Sequence, residues 1–117
     1  MNKYRNKKCL YRGIEFDSKK EAKRYAELLA MEKAGIIQNL RRQVTFELIP
    51  AQKLPQPITL LSGYTKKTER KIVYIADFVY VMNGHTVVED TKGMETPEYK
   101  IKRKLMLQRY GIQVMQT

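Results

Sequence analysis

The sequence predicts an α/β domain, one mixed sheet of about four strands with helices packed on it. Three observations predict it. Segments 19–34 and 97–110 carry helix start and stop signals, three stretches carry strand patterning, and the last strand candidate follows the second helix rather than a tight turn. A strand, a helix and a further strand in that order fit a right-handed parallel crossover, which makes the sheet mixed. With 117 residues, the chain has the length of a single domain, 1–117.

Residues 1–12 form a basic N-terminal arm with Lys3, Arg5, Lys7, Lys8 and Arg12. Such an arm is either a solvated tail or an electrostatic grip on an anion. A short strand or turn at Tyr11 to Phe16 leads into the first helix. Ser18 caps that helix, and Glu21 three residues on completes a capping-box pattern. Ala22, Tyr25, Leu28 and Leu29 recur at helical spacing, and Gly35 ends the helix. Val44, Phe46 and Leu48 alternate as a half-buried strand over 44–49. Pro50, Pro55, Pro57 and Gly63 then punctuate 50–70, which reads as a long mobile loop with room for a short strand at Ile58 to Leu61. Residues 71–82 form the longest strand, Asn83-Gly84 is a two-residue hairpin turn, and 85–92 is the returning strand. Thr96 as N-cap and Pro97 at the first helical position open the second helix, which Gly111 closes after Tyr110. Ile112, Val114 and Met115 give a short final strand over 112–116.

Composition narrows the function. Twenty-three Lys and Arg oppose 12 Asp and Glu, for a net charge of +11. A small domain so charged suits a polyanion, with nucleic acid first and an anionic membrane surface second. The lone Cys9 excludes an internal disulfide and a cysteine-built zinc site, and the lone His85 leaves no support for a Ser-His or Cys-His nucleophile pair. No segment has the length and apolarity to span a bilayer, and the first twelve residues lack the apolar run of a signal peptide. A cytoplasmic location, without membrane partners, is expected.

The hairpin register then becomes specific. With Asn83-Gly84 as the turn, Met82 faces His85, Val79 faces Val88 and Asp77 faces Asp90. Opposed residues share a sheet face with Cβ atoms about 4.5–5.5 Å apart. Lys92 lies diagonal to Asp77 on that face, whose other members, Val73, Ile75, Val79, Val81, Thr86 and Val88, mark it as the core side. Two facing carboxylates at the end of an apolar face repel each other, and a divalent cation reverses the sign of that cost. Lys92 would lower the pKa of an attacking water or stabilise charge at phosphorus. That is a constellation for metal-assisted phosphodiester hydrolysis. The plainer alternative puts Asp77 at an outward bulge and makes Asp90 and Lys92 a surface pair. Glu21 also has two readings, helix cap and third carboxylate, since Glu21, Tyr25 and Leu28 share one helix face.

Asp77 followed by Asp90-Thr91-Lys92 after a hairpin resembles the PD-(D/E)XK nuclease superfamily. A group of small phage-encoded, resolvase-like proteins within it is similar along most of the chain: Tyr11 to Ala22, Gln43, Ala76 to Tyr80, Glu89 to Gly93 and Thr96 to Lys102. Residues 1–8 and 50–70 lie outside the resemblance, and Ala76 stands where the superfamily name has Pro. The resemblance implies a restriction-endonuclease-like core in the order helix–three strands–helix–strand, and Mg²⁺-dependent DNA cleavage, with Mn²⁺ as a substitute. Asp77, Asp90, Thr91 and Glu21 would hold metal, Lys92 would act on the attacking water, and Gln43 would line the site. It further implies a homodimer acting on duplex or branched DNA, including Holliday junctions, in the bacterial host cytoplasm. Lys100, Lys102, Arg103 and Lys104 on the second helix, extended by Lys66, Lys67 and Arg70, are either a solvated face or a phosphate-contacting track. A non-catalytic DNA-binding module for phage replication or packaging is the alternative function.

Overall fold

A computed structural model describes residues 8–91 and 95–117. In chain order it runs β1 (Cys9–Tyr11), β2 (Ile14–Phe16), α1 (Lys19–Lys33), β3 (Gln38–Ile49), β4 (Gln52–Thr59), β5 (Thr65–Glu69), β6 (Ile72–Met82), β7 (His85–Asp90), α2 (Pro97–Tyr110) and β8 (Met115–Gln116). Four of the strands form the main sheet in the order β3–β6–β7–β8. Its first three strands are antiparallel and β8 runs parallel to β7, so the sheet is mixed, as expected. β1–β2 and β4–β5 are separate two-stranded hairpins. No helix among the described residues is long and apolar enough to cross a membrane.

Local chemistry sets the helix ends. Ser18 Oγ accepts the Glu21 N–H at 3.1 Å, satisfying one orphan donor of α1. Thr96 Oγ1 does the same for Tyr99 at 3.0 Å in α2. Gly111, at φ 68°, donates to Leu107 O at 2.9 Å and ends α2 in the left-handed conformation. Both helices therefore occupy the segments their caps predict.

The strands depart from expectation in four places. β3 begins at Gln38, well before Val44, because it pairs along β6 from Val81 back to Ile72, and side chains of its polar first half also hold it, Arg42 lying over the Phe16 ring. The segment 50–70 is not a loop: β4 and β5 pair across it, from Gln52↔Glu69 to Thr59↔Thr65. The prolines are absorbed where the register shifts between Lys53 and Ile58, so they do not prevent the hairpin. In the N-terminal arm, residues 1–7 lie outside the described residues, and Cys9–Tyr11 is a strand paired with Ile14–Phe16 rather than tail. The final strand shrinks to Met115–Gln116.

The sheet is covered on both faces. Phe78 and Tyr80 of β6 pack with Ala22 and Leu28 of α1, Phe16 of β2 and Ile37. Val79 and Val88 pack on the other face with Met106 of α2, Leu48 and Val114. The expected one-sided core face is therefore corrected: Ile75 and Thr86 on it are exposed, while Phe78 and Tyr80 on the opposite face are buried. Tyr74 and Ala76 join the cluster of Val79, not that of Phe78, although strict alternation would group them with Phe78. The alternation slips by one residue at Asp77.

Candidate functional site

The site is built where that slip occurs. Val44 pairs with Ala76 and Arg42 with Phe78, and between them Gln43 has φ 50°, an uncommon backbone state for a side-chain-bearing residue. The β6–β7 ladder follows the expected register from Met82↔His85 to Phe78↔Glu89 and ends there, one step before the two aspartates. The β3–β6 register runs unshifted past Asp77, which is buried rather than at an outward bulge. Its Oδ2 accepts the Thr91 N–H at 2.8 Å and the Thr91 hydroxyl at 3.0 Å. Its Oδ1 lies 3.3 Å from the Gln43 amide nitrogen, which also donates to Glu21 Oε1 at 3.1 Å. Asp90, likewise buried, accepts from the Tyr74 hydroxyl at 2.8 Å.

Three of the sequence-predicted residues therefore meet directly: Glu21, Gln43 and Asp77 are linked by one amide. Thr91 ties Asp77 to the end of β7, next to Asp90. The Ser18 cap engages the Glu21 backbone, while Glu21 is 2% exposed and its carboxylate accepts from Gln43. Lys92 lies outside the described residues. Among the described residues, no three His, Cys, Asp or Glu side chains form a group able to hold a metal.

The proposed phosphate track is partly neutralised. Lys102 pairs with Glu98 at 3.0 Å, and Arg103 pairs with Glu95 at 2.7 Å while lying over the Tyr99 ring. Lys66 pairs with Glu69. Lys100, Lys104, Lys67 and Arg70 are exposed. Val73, Tyr74, Ile75, Asp90, Tyr99 and Lys102 are among the residues lining a cleft of about 300 Å³ between β6 and α2, which brings solvent to the Asp90 side of the site.

Sequence reasoning missed a second buried acid, Glu89, and its partly exposed partner Arg24. Glu89, fully buried, accepts two bonds from the Arg24 guanidinium, at 2.8 and 2.7 Å, and a third from the Tyr80 hydroxyl. The hydrogen bond to Glu89 raises the Arg24 pKa. Burial, then the bond to Glu89, pushes Tyr80 up to about 12. On the opposite face, burial and the Asp90 charge raise Tyr74. Burial, then Asp90, also raises Tyr99, so both phenols beside Asp90 stay protonated.

The family model described as "Protein of unknown function (DUF1064)" matches residues 1–116, and the chain belongs to that family. No curated protein and no solved structure matches it.

Proposed function

We propose that this member of the DUF1064 family is a metal-dependent DNA endonuclease of the PD-(D/E)XK type, with a restriction-endonuclease-like core. The observation that carries the reading is the pairing of Asp77 with the Asp90-Thr91 end of β7 through Thr91, with Glu21 joined to Asp77 by Gln43. The donor set is all oxygen, and Mg²⁺ commonly needs one or two protein carboxylates, its remaining positions going to waters and phosphate oxygens. Asp77, Asp90 and Thr91 would hold the ion, with Glu21 behind them, and Mn²⁺ would substitute. The bound ion would polarise the scissile phosphate and acidify a water. The chain's own groups hold the acids in place: Gln43 and Thr91 orient the two oxygens of Asp77, and Tyr74 orients Asp90. Lys92 follows directly on Thr91 in sequence, and its ammonium would assist the attacking water. Exposed Lys100 and Lys104 on α2 would contact phosphates without reading sequence.

A second reading, a DNA-binding module without catalysis, draws on one observation: both Asp77 oxygens already receive donors. Incubating labelled duplex, flap and four-way-junction DNA with Mg²⁺, Mn²⁺ or EDTA separates the two. The endonuclease cuts at least one substrate with metal and none with EDTA. Tight binding with no cutting under either metal selects the module.

A further inference from the structure

The β4–β5 hairpin packs on neither face of the main sheet and belongs to no other sheet. The radius of gyration, 17.8 Å, exceeds the roughly 13 Å of a compact chain of this length. An eight-residue strand that packs on no other sheet makes the hairpin an arm of about 25 Å. Its tip is built rather than loose. Gly63 donates to Leu60 O and Leu60 donates to Tyr64 O, both at 2.8 Å, and Gly63 takes φ 89° to close the turn. The turn holds Leu61 wholly in solvent, 111% exposed, with Tyr64 at 65% beside it. Behind this apolar tip the residues from 50 to 71 carry Lys53, Lys66, Lys67, Arg70 and Lys71 against the single acid Glu69.

We propose that this hairpin is a DNA-gripping wing: its basic strands lie along the phosphates of a duplex groove, and Leu61 wedges against a base step. The proposal rests on the DNA-cleaving reading above and adds a binding element to it. Charge chooses the occupant. A second copy would bring another basic hairpin and another +11 chain against this one, whereas a duplex supplies the opposite charge. Pro55 and Pro57 also remove edge donors from β4, which opposes strand pairing between copies. Apolar wedges flanked by cations are a way to open a base step and fix a duplex. The position serves the site. Ile49 pairs with Ile72 at the hairpin root, and Asp77 lies five residues along β6, about 17 Å away. A second cleft lined by Lys71, Ile72, Ile101 and Lys102 shares Val73, Glu98 and Lys102 with the Asp90 cleft, so the two lie side by side between the hairpin root and the site.

The test uses the whole protein in EDTA with duplex DNA carrying a fluorescent adenine analogue that brightens when unstacked. Wild type brightens the probe. Leu61→Ser abolishes the brightening and weakens binding about tenfold with the salt slope unchanged. Lys67→Ala lowers the salt slope by about one. Leu61 touches no core residue, so the variant's melting temperature stays that of wild type. Equal binding and equal brightening by Leu61→Ser overturn the wing. So does a Leu61-dependent attachment to phosphatidylserine vesicles, or a Leu61-dependent dimer, with DNA binding untouched. Adding Mg²⁺ separates this proposal from its premise. Cutting with Leu61-independent binding overturns the wing alone, and Leu61-dependent binding without cutting overturns the nuclease reading while supporting the wing.

Discussion

At the scale of single residues, the most constrained charge is Glu89, which is fully buried and held by Arg24 and Tyr80. Removing one partner of such a pair leaves a charge out of water, at a cost of about 3–5 kcal/mol. Arg24 is one-quarter exposed, so Arg24→Met should fall near the lower end, about 3 kcal/mol in urea unfolding. Tyr80 gives a pH test. Its folded pKa, about 12, lies above the unfolded value of 10, so the folded state keeps a proton that the unfolded state loses. Its contribution is fully present below pH 10 and is lost as pH rises toward 12. Tyr80→Phe should flatten the fall in stability between those values, measured as the slope of unfolding free energy against pH. None of this network was legible in the sequence, because Arg24 and Glu89 stand 65 positions apart and meet only in the folded chain. Glu21 was legible from its helix-face spacing, whereas Gln43 was legible only through a family resemblance. Their meeting depends on the positive φ of Gln43, which no side-chain pattern announces.

At the scale of elements, the signals that worked were local. Thr96-Pro97 and Gly111 fix α2 because each satisfies or removes an orphan backbone group at its own position. Asn83-Gly84 fixes the β6–β7 register because a two-residue turn leaves one pairing. Thr96→Ala should cost about 1 kcal/mol and lower the melting temperature by roughly 4 °C. Gly111→Ala, forced to hold φ 68°, should cost a similar 1–2 kcal/mol or so. The 50–70 hairpin was misread because its prolines are accommodated in a register shift, where a missing N–H breaks no ladder bond. The slip at Asp77 was missed for a related reason. The apolar run Ile72 to Met82 has hydrophobic residues on both faces, so alternation cannot reveal where it changes phase.

At the scale of the whole molecule, a mixed sheet carries Asp77 and Asp90 in a chain of net charge +11. The charge balance was fully legible, since counting residues needs no structure. Because Lys102, Arg103 and Lys66 are already paired with acids, the number of phosphates neutralised should be smaller than the count of basic residues suggests. DNA affinity should still fall steeply with salt, by a log–log slope of about 0.9 per phosphate contact. Lys100→Ala and Lys104→Ala should each reduce that slope by about one, while Lys102→Ala and Arg103→Ala change it less, as read by anisotropy across a salt series.

The central claim is that Asp77 is a hydrolytic ligand rather than a structural acceptor. Asp77→Asn tests it most directly, because an amide keeps an oxygen for the Thr91 donors while losing the charge a metal requires. Single-turnover cleavage in Mg²⁺ should be slower by a factor of about 10²–10³ or more, with DNA affinity in EDTA and melting temperature close to wild type. Cleavage at the wild-type rate by Asp77→Asn would contradict the claim and return Asp77 to the role of holding β6 against Thr91.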